Sequence, residues 1–151
     1  MLHFQPANVK WWRKPLVRVG GRVLPAELAV LAKELGARER GAWMNSRGTT
    51  SGVVDLVPAP AVREAGYTTR RERLPGFVAR ALASIYRRAC LAKGCPDLVI
   101  WNIDRNTLRL VEVKCPHWDA PTTEQERFMR AAARAGVRTR IVEWEFGDGA
   151  A

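Results

Sequence analysis

Pro96-Asp97-Leu98-Val99-Ile100-Trp101, then the polar stretch Asn102 to Thr107, then Leu108-Arg109-Leu110-Val111-Glu112-Val113-Lys114, is the stretch that decides the fold. Two apolar, β-branched runs flank one turn-rich break, which predicts a β-hairpin. With Trp101 opposite Leu108, the pairing carried inward brings Asp97 opposite Glu112. Partners across an antiparallel ladder share a face, with Cβ atoms about 4.5–5.5 Å apart. Two carboxylates that close repel unless a cation sits between them. Lys114, two residues beyond Glu112, projects from the same face, and Val111 and Val113 from the other. A slip of one residue would separate the acids, so the inference rests on that register.

Downstream, the chain passes Pro116 and Pro121 to Thr122 and Thr123, and Thr123 with Glu126 is spaced as a capping box opening a helix. Gln125, Phe128, Ala132 and Ala135 share one face of that helix; Arg127, Arg130, Arg134 and Arg138 share another. Gln125 therefore points with the apolar face toward the sheet and needs a polar partner, for which Glu112 and Lys114 are the nearest candidates. Gly136 is the expected stop, and Thr139 to Phe146 alternates as a last strand, parallel to its neighbour through a right-handed crossover.

Upstream, Leu74 to about Ala92 reads as a helix, with Phe77, Val78, Ala81, Leu82, Ile85 and Ala89 on one side and Arg80, Arg87 and Arg88 mostly on the other. Residues 63 to 93 hold eight Arg or Lys against two Glu. With Arg70, Arg71, Arg87 and Arg88 there, and Arg127, Arg130 and Arg134 on the later helix, an arginine track for phosphates beside the hairpin stands against a plain solvated face. An earlier helix opens at Leu24-Pro25-Ala26-Glu27, with Leu28, Leu31, Ala32 and Leu35 as its stripe, Glu27 and Glu34 bordering it, and Gly36 as one stop, although Ala37 to Arg40 could extend it. Residues 41 to 61 read as a loop containing a short strand at Val53 to Val57. The first two dozen residues, with Lys10, Arg13 and Lys14 beside Trp11 and Trp12, read either as a basic aromatic arm or as strand and loop packed on the core. The order of helix, hairpin, helix and strand implies an α/β fold: a mixed β-sheet with helices on both faces.

At 151 residues and 16.9 kDa the chain is expected to form one domain, residues 1–151. Twenty-five Lys and Arg against fifteen Asp and Glu give a formal charge of +10, and Arg predominates. The planar guanidinium fork suits phosphate, so a nucleic acid is the favoured partner over a membrane surface or a compositional bias toward Arg. No apolar run is long enough to cross a bilayer, and the expectation is an intracellular protein, cytoplasmic or nucleoid-associated, or nuclear in a eukaryote. Three cysteines, an odd number, argue against a disulfide framework. Cys90, Cys95, Cys115 and His117 have an untypical spacing for structural zinc and read better as small packed side chains.

With Pro96-Asp97, Glu112-Val113-Lys114 and Gln125 in place, the chain resembles the virus-type replication-repair (VRR-NUC) family of PD-(D/E)XK nucleases, which includes the C-terminal domain of the Fanconi-associated nuclease. The resemblance runs from about Phe77 to Phe146, within a recognisable core of about 74–146, and rests on Ala83-Ser84-Ile85-Tyr86-Arg87, Gly94-Cys95-Pro96-Asp97-Leu98-Val99-Ile100-Trp101-Asn102, Leu110-Val111-Glu112-Val113-Lys114-Cys115-Pro116, the Thr-Glu-Gln at 123 to 125 and Ala135-Gly136-Val137. Two departures stand out: the family has Gly where Cys115 stands, and the loop to the Gln helix is about one residue longer. The resemblance implies a restriction-endonuclease-like core and metal-dependent hydrolysis of DNA phosphodiesters, structure-selective on junctions or flaps, in repair, recombination or phage replication. It assigns catalytic roles to Asp97, Glu112, Lys114 and Gln125. Mg²⁺ or Mn²⁺ is then held by Asp97, Glu112, the Val113 carbonyl and an upstream helical glutamate, Glu27 in preference to Glu34. Some members of this size act as homodimers. A catalytically silent DNA-binding or scaffold protein on the same fold is the competing class, and intact Asp97, Glu112 and Lys114 favour the enzyme.

Overall fold

The computed structural model describes residues 1–7, 16–44, 53–56 and 69–147, with 53–56 and 69–72 as backbone. Its elements in chain order are β1 (Leu2–Pro6), β2 (Leu16–Val19), β3 (Arg22–Pro25), α1 (Ala26–Glu34), β4 (Glu39–Trp43), β5 (Val53–Leu56), β6 (Thr69–Glu72), α2 (Gly76–Ala89), β7 (Leu98–Asn102), β8 (Thr107–Lys114), α3 (Thr123–Arg134) and β9 (Arg138–Phe146). The described strands form one mixed sheet of nine in the order β3-β2-β1-β9-β8-β7-β4-β5-β6.

β7 and β8 form the hairpin in the expected register, with Trp101 opposite Leu108 and Leu98 opposite Val111. Asn106 takes the left-handed conformation that closes such a turn (φ 49°), and the Asn102 side chain accepts the Arg105 amide at 3.2 Å. β9 lies parallel to β8, with Glu112 beside Ile141, as expected for a strand that returns through a helix. It starts at Arg138, so Arg138 belongs to the strand rather than to the arginine face of α3.

Alternate residues of β7 and β8 separate two apolar layers. Leu98, Ile100, Val111 and Val113 pack with α1, and Val99, Trp101 and Leu110 pack with α2 and α3. Helices therefore cover both faces. α2 and α3 meet through an edge-to-face contact of Tyr86 on Phe128, ring centroids 4.7 Å apart. α2 is shorter than the sequence implied, because Cys90 turns left-handed (φ 53°) and ends it.

Three upstream expectations change. α1 is not a one-sided helix: Ala26 through Leu31 are all buried, whereas Ala32 and Leu35 of the supposed stripe are exposed. The sheet reaches around it, since β2 and β3 touch α1 as well as β4 and β8. Glu39–Trp43, read as helix extension and loop, is β4, which pairs antiparallel along β7 from Glu39 opposite Asn102 to Trp43 opposite Leu98. Pairing along a strand already in place overrides a Gly-containing sequence of weak strand propensity. The short strand near Val53 is present as β5. Lys10, Trp11, Trp12, Arg13 and Lys14 lie outside the described residues.

A candidate active site at the end of the central hairpin

The side chains of Asp97 and Glu112 are bound crosswise to each other's backbone. The Asp97 amide donates to Glu112 Oε2 at 3.2 Å, and the Val113 amide donates to Asp97 Oδ2 at 3.0 Å. The register thus brings the two carboxylates together on the α2 and α3 face, and pins the Val113 peptide beside them. Lys114 Nζ lies 2.7 Å from Glu112 Oε1 and donates to Asp119 Oδ2 at 2.9 Å. Gln125 Nε2 donates to Glu112 Oε1 at 2.5 Å. The partner expected for Gln125 is the one it has.

Gln125 is aimed by the start of its helix. Thr122, not Thr123, is the N-cap: its Oγ1 accepts the Gln125 amide at 3.2 Å, and Gln125 Oε1 accepts the Thr122 amide at 2.9 Å. Glu126 was expected in the partner role three residues into the helix; Gln125 fills it, and its remaining amide group faces Glu112. Ala135 ends α3 and is exposed, so the buried stripe is Phe128 and Ala132. Gly94 sets the approach of this helix to the hairpin. Its φ is +114°, and a Cβ there would stand 2.8 Å from the backbone carbonyl of Glu124, so the chain leading into Asp97 passes directly against the first turn of α3.

Burial makes this site electrostatically demanding. Glu112 is fully buried and Lys114 is 6% exposed. Burial pushes the Glu112 carboxyl above its ordinary range, an effect that its bonds with Lys114 and Asp97 offset only in part. Lys114 is pushed down by burial, but its bonds to Glu112 and Asp119 outweigh this and raise it. The ammonium stays charged at neutral pH. Glu112 is left short of positive charge, and a cation beside it would supply that. The donors that converge here, Asp97 and Glu112, are hard oxygen ligands of the kind Mg²⁺ and Mn²⁺ take. The nearby Cys95 is buried, its thiol pushed far up by burial and by the charges of Glu112 and Asp97, so it stays protonated.

Glu27 and Glu34 are separated by their surroundings. Glu34 is occupied: Arg109 Nη1 donates to it at 2.8 Å, and Arg140 Nη1 lies 3.4 Å away. Arg109 also donates to Glu39 at 2.9 Å, tying the end of α1 to β4 and β8. Glu27 sits at the other end of α1 and is 8% exposed, one of three buried charged residues among those described, with Glu112 and Lys114. It approaches from the sheet face opposite the Asp97 and Glu112 side chains, and among the described residues no three His, Cys, Asp or Glu side chains form a ready metal cluster.

The zinc alternative finds no geometry. Cys90 is exposed at the end of α2, Cys95 packs in the layer under α2, Cys115 packs on the α1 side, and His117 faces Glu145 at 3.3 Å. Cys115, where the family has Gly, thus points into the core and does not crowd the carboxylates. Of the arginines, Arg88, Arg127, Arg130 and Arg134 line a cleft of about 350 Å³ between α2 and α3. Arg127 also donates to the Ala89 carbonyl at 2.7 Å, closing the end of α2. Arg87 is exposed and outside that cleft. Arg70 and Arg71 lie on β6, the edge strand, and their side chains lie outside the description. Sequence reasoning missed Asp119, which holds Lys114; its only signal was an acid in the loop directly after the lysine.

The VRR-NUC domain model matches residues 42–144, which begins upstream of the core recognised from motifs. Among solved structures, the chain is similar to one described as paFAN1 bound to 2nt 5′flap DNA with gap, at 22% identity and a TM-score of 0.39. That similarity covers 49% of this chain and 14% of the other. No curated protein matches. The matched span holds Asp97, Glu112, Lys114 and Gln125 together with the sheet that aligns them, and the chain belongs to the VRR-NUC family of nuclease domains.

Proposed function

We propose that this protein is a Mg²⁺- or Mn²⁺-dependent deoxyribonuclease that hydrolyses phosphodiester bonds, selective for branched DNA such as a junction or flap. The observation that carries the reading is the buried constellation in which Asp97 and Glu112 are cross-tied through backbone amides, with Lys114 and Gln125 both on Glu112 Oε1. An ordinary hairpin with a surface Glu-Lys pair has no reason to bury both charges. Asp97, Glu112 and the Val113 carbonyl would hold the metal, with Glu27 as the further ligand and waters completing the shell. Such a cation, when bound, polarises the scissile phosphate and lowers the pKa of a coordinated water. Lys114, charged and fixed by Asp119, places its ammonium where negative charge builds on the phosphoryl oxygens. Gln125 keeps Glu112 in one orientation. The arginine cleft of α2 and α3 supplies phosphate contacts that position the substrate without reading bases.

The test is cleavage of labelled junction, flap, duplex and single-stranded DNA with Mn²⁺ and with EDTA. Asp97→Ala and Lys114→Ala are each expected to abolish cleavage while leaving DNA affinity within a few-fold, because affinity resides mainly in the arginines. Cleavage that persists in EDTA, or is undiminished in Asp97→Ala, would overturn the proposal. For the upstream ligand, Glu27→Gln is expected to weaken Mn²⁺ binding by calorimetry at least tenfold, with Glu34→Gln affecting stability instead. The reverse result would move the role to Glu34.

A further inference from the structure

The loop from Cys115 to Pro121 carries a second feature that the hydrolytic site does not use. The amides of Trp118 and Asp119 both donate to the Cys115 carbonyl, at 3.0 and 2.9 Å, so this turn fixes the two residues relative to the end of β8. Asp119 reaches Lys114. Its neighbour Trp118 lies instead across the aromatic end of β9, edge-to-face with Trp144 at 5.8 Å and with Phe146 at 5.4 Å. Trp144 and Phe146 are themselves perpendicular, 5.2 Å apart. The indole is thereby held in one orientation, yet it is 55% exposed, the largest side chain so exposed among the described residues.

We propose that Trp118 is a stacking platform for an unpaired base beside the scissile phosphodiester, an inference that rests on the nuclease reading of the neighbouring site. Three observations converge. The turn places the indole next to the residue that holds Lys114, within one nucleotide's reach of a phosphate bound at that ammonium. The ring is supported from behind by two aromatic side chains, so holding it flat against a ligand costs little further order. The chain as a whole is strongly cationic, at +10, so a polyanion will gather at this surface. A flat π surface accepts any base, provided the base is not already stacked on both sides. Within intact duplex it is; at a flap, a gap or a strand end it is not. Trp118 would thus favour DNA that exposes an unpaired nucleotide at the point of cleavage, which gives branched-DNA selectivity a specific side chain.

Binding is measured by fluorescence anisotropy in EDTA, with a labelled single strand and a labelled blunt duplex, for the full-length protein and for Trp118→Ala, Trp118→Phe and Trp118→Leu. Loss of one base stack is worth about tenfold in affinity. Trp118→Ala is expected to weaken single-strand binding by about that factor and duplex binding by less than twofold, with Trp118→Phe retaining most of the affinity. Trp118→Leu fills similar apolar space without a π face, and it covers the case in which Trp118→Ala fails to fold. If the Leu variant binds single strands as tightly as the parent, or if both DNAs lose affinity equally, the platform is overturned. Because no cleavage is needed, this outcome is independent of the nuclease reading, which fails separately if the parent cuts nothing in Mn²⁺.

Discussion

Asp119 shows how one residue in an irregular loop can govern a residue in a regular strand. It supplies the second anion for Lys114 at 2.9 Å, and Glu112 supplies the first. Without Asp119 the ammonium keeps one partner and loses its fixed direction, so Asp119→Asn is expected to lower kcat by about tenfold, ~1.4 kcal/mol of transition-state stabilisation, with KM nearly unchanged. Single-turnover kinetics on labelled DNA check this; a rise in KM at constant kcat would show that Asp119 serves substrate binding instead. Asp97, Glu112 and Lys114 were legible in the sequence because a strand has a period of two and a hairpin a fixed pairing, so the face and partner of each followed from Trp101 opposite Leu108. Asp119 and Trp118 were not, because no periodicity says where a loop side chain points. Glu27 was legible only as one of two acids bordering a helix; what separates it from Glu34 is Arg109, which comes from far along the chain.

Among the elements, α3 joins stability to chemistry through its first turn. Thr122 caps the helix and, by accepting the Gln125 amide, aligns the same glutamine that holds Glu112. Thr122→Ala is expected to cost about 1 kcal/mol of stability, lowering Tm by roughly 2–4 °C in a chain of this size, and to reduce cleavage as Gln125 loosens. Thr123→Ala, one residue inside the helix, is the control and should change Tm by less than half as much in thermal denaturation; the opposite ranking would restore the cap to Thr123. Two adjacent threonines offer the same signal to sequence reasoning, and only the path of the chain from Pro121 distinguishes them. α1 was misread for a related reason. Its stripe predicted one buried face, but how much of a helix is covered depends on how far the sheet curls, and that depends on β2 and β3 meeting it from the other side. α2 and α3, covered from one side, matched their periodicity.

For the whole molecule, charge has acquired a location. Arg88, Arg127, Arg130 and Arg134 gather at one cleft on the face that carries the carboxylates, although they come from helices separated by the entire hairpin. If each contacts one phosphate, Arg130→Ala and Arg134→Ala should each flatten the slope of log affinity against log salt by about 0.9 on duplex DNA, similarly for unrelated sequences. A salt titration showing the parent slope in the double variant would place these arginines on solvated surface. The central sheet was legible as mixed and two-faced, but its extent was not: β4 and the β1 to β3 meander have short strands with little alternation and gain their identity from neighbours. The order of those neighbours has a consequence for how the protein is made. β1 joins the sheet by lying parallel to β9, Leu2 beside Trp144 and Phe4 beside Phe146. During synthesis the first-made strand must therefore wait with one edge unpaired until the last-made strand leaves the ribosome. Until then β1, β2 and β3 form a small separate meander, and the nascent chain carries an open apolar edge for most of its time on the ribosome, the period in which a chaperone has most to protect.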